Sequence, residues 1–385
     1  MTRNYRVAIF TETFLPRVDG IVNTLKWSLR GLVEAGWEPL VVAPAGNTQP
    51  LAGVRVIGSP SIVFPPYPEV RLGFPSPEVW RKLDAFRPDL VHLAGPVTNG
   101  FGGLKYAQVR GIPSVSSYHT ALPEYAQLYG LSWMVELAWA ALRTVHNDTA
   151  CTLSPSRQTI ADLQARGFEH LKLWSRGVDT QLFSPNARSP DMRARLGARP
   201  DELLAVYVGR LAREKKLERI AGALRKVAGV RLALVGDGPA RRELQRDFDG
   251  LPVSFTGTLR GPELAAAYAS ADVFVFPSDT DTFGNVVLEA MASGLPVLAC
   301  EVGGHLDLVE SGVTGLLFSP LDDRQLASHL ELYRDQPSLR ERHGTAGLQA
   351  AAQRTWSRIV QQLIGHYEDA INARARERSV LTSAA

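Results

Sequence analysis

Cysteine is nearly absent. Cys151 and Cys300 are the only two in 385 residues. Two cysteines so far apart exclude a disulfide framework and a cysteine-built zinc site, and they point to a reducing compartment. Long apolar runs are missing as well: no window approaches the roughly 18 residues of a membrane span. The N-terminus MTRNYRVAIF runs directly into a strand-like segment, so no secretion signal is expected. Strong charge of either sign is also lacking. A net charge of +3 is too small to argue for nucleic acid as a partner. The slight basic excess falls in residues 1–185, where it suits an anionic surface or an ordinary solvated face. No GxGxxG fingerprint and no Walker lysine loop appears, which excludes nicotinamide and ATP sites of the common kinds. No Asp-x-Asp pair stands at a strand end of the first half, so no metal and no cofactor is expected. Solenoid repeats and low-complexity blocks are absent too.

What is present is an alternation of strands and helices. A chain of 385 residues exceeds one ordinary core, so two domains are expected. The short apolar run Arg6–Phe10 precedes a turn-rich loop and a helical pattern with Ile21, Leu25, Leu29 and Leu32 on one face, stopped by Gly36. Pro39–Ala43 then reads as a second strand, completing a strand–helix–strand unit. Asp89–Ala94, Ile112–His119 and Ala150–Ser156 continue the series. The alternation restarts with Leu203–Arg210, Val230–Gly236, Val253–Gly257, Ala271–Ser278 and Leu295–Cys300, all reading as buried parallel strands. Phe183–Pro190 reads as the linker. The expected architecture is therefore α/β: two doubly wound, Rossmann-like domains, residues 1–184 and 185–354, facing across a ligand cleft. The C-terminal segment, residues 355–378, has the spacing of an amphipathic helix. The Pro-rich stretch Ser59–Trp80 reads as a long loop.

Five stretches could carry chemistry. Gly20 opens a helix whose free N–H groups would suit an anion, and it reads equally as a turn glycine. In VGRLAREKKLE, Arg210 leaves a strand end and Lys215 follows, a fork and a point charge suited to a diphosphate. Arg213 and Lys216 read as solvated. The turn at Gly236–Pro239 could pass a flat ligand or be structural only. His119, at the end of SYHT, could bond a sugar hydroxyl or stabilise developing charge, although a lone His is more often structural; His92, inside an apolar strand, reads as structural. Finally, Asp281 and Glu289 flank Phe283-Gly284-Asn285-Val286 at a helix start. Two acceptor-only carboxylates beside helix N–H donors suit a polyhydroxylated ligand carrying phosphate, or else a capped helix with a solvated Glu.

Together, in this order and spacing, Gly20, His119, Gly209-Arg210, Lys215 and the Asp281-x7-Glu289 pair resemble the family 4 retaining glycosyltransferases of the GT-B fold, over nearly the whole chain. Within that family, SYHT, LWSRGVDTQLFSP, VGRLAREK and SDTDTFGNVVLEAMASG look most like GDP-mannose-dependent α-mannosyltransferases and sulfoquinovosyl-diacylglycerol synthases. The resemblance implies transfer of a hexose from a nucleotide-diphosphate sugar to a lipid or glycolipid hydroxyl, retaining and metal-independent. It implies too that the C-terminal helix, residues 355–378, joins the first domain. It places the Gly20 backbone, Arg210 and Lys215 on the diphosphate and His119 on the donor sugar. It places Asp281 with the backbone of Phe283, Gly284, Asn285 and Val286 on the sugar hydroxyls, and Glu289 on the ribose. Gly236, Thr258 and Leu259 would lie near the base. GDP-mannose is the first choice of donor on resemblance alone, with UDP-linked glucose, galactose, glucuronate or sulfoquinovose as alternatives. Asp281 is one methylene shorter than the family's usual Glu, a change in reach of about 1 Å. A cytoplasmic protein is expected, with peripheral attachment to the inner face of the membrane through Tyr125–Asn147, whose aromatic residues suit an interfacial or a core helix alike, or through the Pro-rich loop. A sugar-nucleotide epimerase and a non-catalytic sugar-nucleotide-binding protein rank below the transferase. The epimerases lack the Arg, Lys and carboxylate pairing seen here, and the presence of every expected polar group argues against a non-catalytic protein.

Overall fold

A computed structural model describes residues 4–17, 19–64, 67–119, 135–199 and 201–383. The chain forms two compact units, Met1–Arg176 with Trp356–Ala385, and Gly177–Thr355. In the first unit, seven parallel strands lie in the order β3-β2-β1-β6-β7-β8-β9. These are β1 (Arg6–Phe10), β2 (Glu38–Pro44), β3 (Arg55–Ser59), β6 (Leu90–Leu93), β7 (Ser114–Ser117), β8 (Cys151–Ser154) and β9 (Leu171–Leu173). A separate antiparallel hairpin pairs β4 (Ser61–Phe64) with β5 (Tyr67–Gly73). In the second unit six parallel strands run β12-β11-β10-β13-β14-β15. They are β10 (Leu203–Val208), β11 (Val230–Val235), β12 (Val253–Gly257), β13 (Val273–Phe276), β14 (Val297–Cys300) and β15 (Gly315–Phe318).

Both orders reverse direction beside the first strand of the sheet, between β1 and β6 and between β10 and β13. This is the switch point at which doubly wound sheets bind ligands, at the carboxyl ends of the strands. The central strands are buried at every residue, as helices on both faces require: β10 is LLAVYV and β13 is VFVF. The expected α/β, doubly wound architecture is found in both units.

Two expectations on organisation are corrected. The boundary falls at Arg176/Gly177 and not at 184/185. Val178 N–H donates to Arg354 O and pairs with Thr355, and Phe183 packs edge-on against Tyr268, so the expected linker starts inside the second unit's core. The Pro-rich stretch is not one loop. It carries the β4–β5 hairpin and then the helix Pro77–Phe86, whose first-turn proline is compatible with helix because the first N–H groups bond nothing within it. The C-terminal helix runs Trp356–Ser383, and Trp356, Ile359, Val360, Leu363, Ile364 and Tyr367 enter the first unit's core beside Leu25, Leu29, Trp37 and Trp174. No helix among the described residues is long and apolar enough to cross a membrane.

Candidate functional site

In the second unit the loops leaving β10, β11 and β12 are stacked backbone to backbone. Gly209 N–H donates to Val235 O, Gly236 N–H to Gly257 O and Leu211 N–H to Asp237 O. Gly236 has φ 140°, and a Cβ there would lie 1.9 Å from Gly209 O. Only glycine lets the two loops approach this closely. Asp237 turns back on its own loop, accepting from Gly238 N–H at 2.8 Å and from Arg241 at 3.2 Å. Of the positions expected near a base, Thr258 is exposed, whereas the Leu259 side chain is buried in the core.

The β10 loop carries both expected cations. Arg210 is partly buried, and its carbonyl accepts from Tyr207 OH at 3.1 Å. Arg213 is solvated and paired with Glu243. Lys215 is different. Its Nζ reaches both oxygens of Asp281, at 2.7 and 2.8 Å. Sequence reading placed these two groups on different parts of a ligand; the structure joins them. Burial alone would push the Asp281 carboxyl up, but the Lys215 charge and hydrogen bonds outweigh it and hold it below the usual carboxylate range. Burial would likewise lower Lys215, and Asp281 reverses that. Two residues earlier in the same loop, Asp279 is clamped by Arg219 at 2.8 Å. The Asp279-Thr280-Asp281 run is therefore two ion pairs and not a free carboxylate pair. Among the described residues no group of three or more His, Cys, Asp or Glu is placed to hold a metal.

Asp281 leads into the helix Asn285–Ala292. Gly284 caps its start at φ 87°, a left-handed turn that costs a β-carbon roughly 1–2 kcal/mol. Phe283 is buried in the core, so it offers only backbone, while Asn285 Oδ1 has no hydrogen-bond partner. Val286 is partly buried against the core. Glu289, on the same helix, accepts from Tyr268 OH at 2.9 Å. Burial pushes its carboxyl up to about 7, opposed by the Tyr268 bond. Two residues missed in the sequence support this edge. Tyr268 holds Glu289, and His305 bonds Cys300 O at 2.6 Å behind the loop whose Gly304 N–H donates to Asp281 O. Both carry ordinary core-like surroundings in sequence, and nothing in their spacing marks them.

In the first unit Gly20 is exposed at the start of the helix Gly20–Glu34. That start already has an anionic cap: the Asp19 carboxylate accepts from Val22 N–H at 2.9 Å and pairs with Arg17. His119 lies just beyond β7, its ring edge-on to Trp174 and its Nδ1 3.0 Å from Arg176. His92 is structural, as read: it spans Tyr367 OH and Ser117 Oγ at 2.6 and 2.5 Å. Of the segment expected at a membrane, residues 125–134 lie outside the described residues. The remainder is the helix Val135–Asn147, whose Trp139 and Leu142 are buried with Tyr118, Leu163 and Phe168. Those two side chains belong to a core and not to an interface.

Comparison with known proteins places the chain in a family and a fold. Residues 18–182 match the family profile described as Glycosyltransferase Family 4, and residues 202–335 the profile Glycosyl transferases group 1. The chain is 41% identical over 378 residues to a GDP-mannose-dependent alpha-mannosyltransferase of Mycobacterium tuberculosis, covering 94% of this chain and 96% of that one. It is 39% identical over 366 residues to the sulfoquinovosyl transferase SQD2 of Arabidopsis thaliana, covering 92% of this chain and 72% of that one. Its fold matches a sucrose-phosphate synthase from Thermosynechococcus elongatus with a TM-score of 0.76 at 22% identity, over 96% of this chain and 100% of that one.

Proposed function

The chain belongs to the family 4 glycosyltransferases, and on that premise we propose that it moves a hexose from a nucleotide diphosphate, GDP-mannose first, to a hydroxyl of a lipid or glycolipid, keeping the α configuration. The bond from the anomeric carbon to the β-phosphate oxygen breaks. The acceptor oxygen bonds to that carbon from the same face, and the acceptor proton passes to the departing phosphate. Such a reaction asks for two things: stabilised charge on the leaving diphosphate, and two substrates held in place. Arg210, Lys215 and the N–H groups opening the helix Asn285–Ala292 supply the first. Asp281 accepts from the sugar hydroxyls, Glu289 accepts from the ribose hydroxyls, and His119 meets the transferred sugar. No metal takes part.

The observation that carries this reading is the bidentate Lys215–Asp281 pair at the carboxyl edge of the second sheet, beside a helix start with an unpartnered Asn285 oxygen. A phosphate arriving at Lys215 competes with Asp281, which is thereby released toward hydroxyl donors. The identity to a GDP-mannose enzyme supports guanine over uracil, and the identity to a sulfoquinovosyl enzyme supports the alternative, a UDP-linked sugar. Asp281 in place of Glu keeps that alternative open.

Thermal melts with GDP, UDP and their sugars decide. A nucleotide held at 100 times its Kd adds about 2.7 kcal/mol of stability. GDP and GDP-mannose are expected to raise the midpoint, and UDP to leave it in place. A rise with UDP alone transfers the proposal to UDP-sugars. Turnover that disappears in EDTA and returns with magnesium overturns metal independence. Attachment to a membrane predicts co-sedimentation with anionic vesicles at low salt.

A further inference from the structure

Arg176 is 4% exposed and, among the described residues, no carboxylate pairs with it. A buried guanidinium normally requires one, because its charge has left water. Its donors go elsewhere. Nη1 bonds Trp174 O at 2.8 Å and Ser175 O at 3.1 Å, Nη2 reaches His119 Nδ1 at 3.0 Å, and the group lies over the Trp174 ring at 4.7 Å. Trp174 is fully buried, and its own N–H is fixed to Ile359 O on the C-terminal helix. The guanidinium is therefore locked in place, and one of its donors is aimed at one ring nitrogen.

We propose that Arg176 is a positioning residue that fixes His119 as a neutral imidazole with its proton on Nε2. The reason is directional. A guanidinium has donors only, so the nitrogen facing it must present a lone pair. Nδ1 is that nitrogen, and the ring proton sits on Nε2. A protonated ring would set donor against donor and cation against cation. Burial, and then the Arg176 charge, hold His119 well below its ordinary range. Among the described residues, His92 and His146 also act on His119, and both are buried and lower it further. His119 therefore donates through Nε2 and takes no proton through Nδ1. This rests on the reading above in which His119 meets the transferred sugar. There it acts as a hydrogen-bond donor to a sugar oxygen, not as the base for the acceptor.

The test begins with the unmodified chain, labelled with 15N-histidine. Between about pH 5 and pH 8, His119 is expected to show an unprotonated Nδ1, a protonated Nε2 and no titration. A protonated Nδ1 overturns the proposal. In Arg176→Met, His119 is expected to stay neutral through burial but to lose its single tautomer, with the proton divided between Nδ1 and Nε2, and an unchanged spectrum counts against the proposal. Turnover of GDP-mannose with mixed phosphatidylglycerol–diacylglycerol vesicles gives the second readout. Arg176→Met is expected to lower kcat about 10- to 100-fold. The KM for GDP-mannose should stay within about threefold, with Arg176→Lys recovering part of kcat. His119→Ala with Arg176→Met should be no slower than His119→Ala alone. Losses that multiply, or a wild-type kcat in Arg176→Met, overturn the coupling. If His119→Ala itself turns over normally, the sugar-contact reading fails, and the nitrogen spectrum still decides the Arg176–His119 relation.

Discussion

Glu289 and Glu12 are two carboxyls that titrate near neutrality for one reason, burial, which raises each to about 7. Glu12 accepts from Gly73 and Asn99 N–H, bonds that lower it but do not offset its burial. A carboxyl whose folded value lies above its unfolded one binds its proton more tightly in the folded chain. Its stabilising contribution is present below pH 4.5 or so and is lost as pH climbs through about 7. Glu289→Gln removes that slope. Relative to wild type it is expected to gain up to about 3 kcal/mol between pH 5 and pH 8. Urea melts at both pH values measure this, and an equal difference at the two would refute it. Lys215 and Asp281 pose the opposite case. Removing one partner leaves the other buried and unpaired, so Lys215→Met or Asp281→Asn alone is expected to cost about 2–4 kcal/mol, and the double variant less than either single. Melts of the three variants test it, and additive losses would sink the pairing argument. The candidate residues themselves were legible because Asp281, Glu289, Arg210 and Lys215 stand at strand ends and helix starts, where sequence spacing is informative. Their mutual contacts were not. The Lys215–Asp281 pair spans 66 residues and the Arg176–His119 bond 57, and no local pattern encodes either.

Elements differ in how plainly they show in sequence, and the difference follows burial. Central strands such as β10 and β13 bury every side chain and appear as unbroken apolar runs. The strands passed over in the sequence, β3, β9 and β15, all lie at sheet edges, where β9 is only three residues and none of them is buried. An edge strand is half solvated, so its period is blurred. The β4–β5 hairpin was hidden by its prolines, which signal loop, although Ile62 and Leu72 pair across it. At the carboxyl edge of the second sheet the glycines are the elements' joints. Gly236→Ala forces a β-carbon against Gly209 O and imposes a positive φ on alanine. It is expected to cost about 2–4 kcal/mol and to abolish nucleotide-dependent stabilisation, because the β10 and β11 loops must part. A melt without ligand and a melt with GDP separate the two effects, and a variant that keeps its full GDP shift contradicts the role given to that loop contact.

The whole chain is threaded so that one compact unit is interrupted by another. The second unit starts at Gly177 and ends at Thr355, and its two ends meet, Val178 N–H bonding Arg354 O at 2.9 Å. The first unit is complete only after the chain returns. Its core includes Trp356, Ile359, Leu363 and Tyr367, with Trp27 stacked on Trp356 and His92 bonded to Tyr367 OH. The amphipathic spacing of that helix was visible in sequence, and its destination could be expected only from resemblance. The two units should therefore respond oppositely to truncation. A chain ending at Thr355 loses at least four large core side chains, each worth about 2–5 kcal/mol, a total of about 8–20 kcal/mol that matches or passes the roughly 5–15 kcal/mol of an ordinary domain. Its first unit is expected to be unfolded and rapidly cut by protease. A fragment of residues 177–355 keeps both of its own core layers and its paired ends. It is expected to fold cooperatively and to bind GDP within about tenfold of the full chain, since Arg210, Lys215, Asp281 and Glu289 all lie inside it. Circular dichroism, proteolysis and GDP titration of the two fragments test the argument. A protease-resistant first unit without its helix, or a 177–355 fragment that folds and ignores both GDP and UDP, would show that nucleotide binding and core closure are divided differently along the chain.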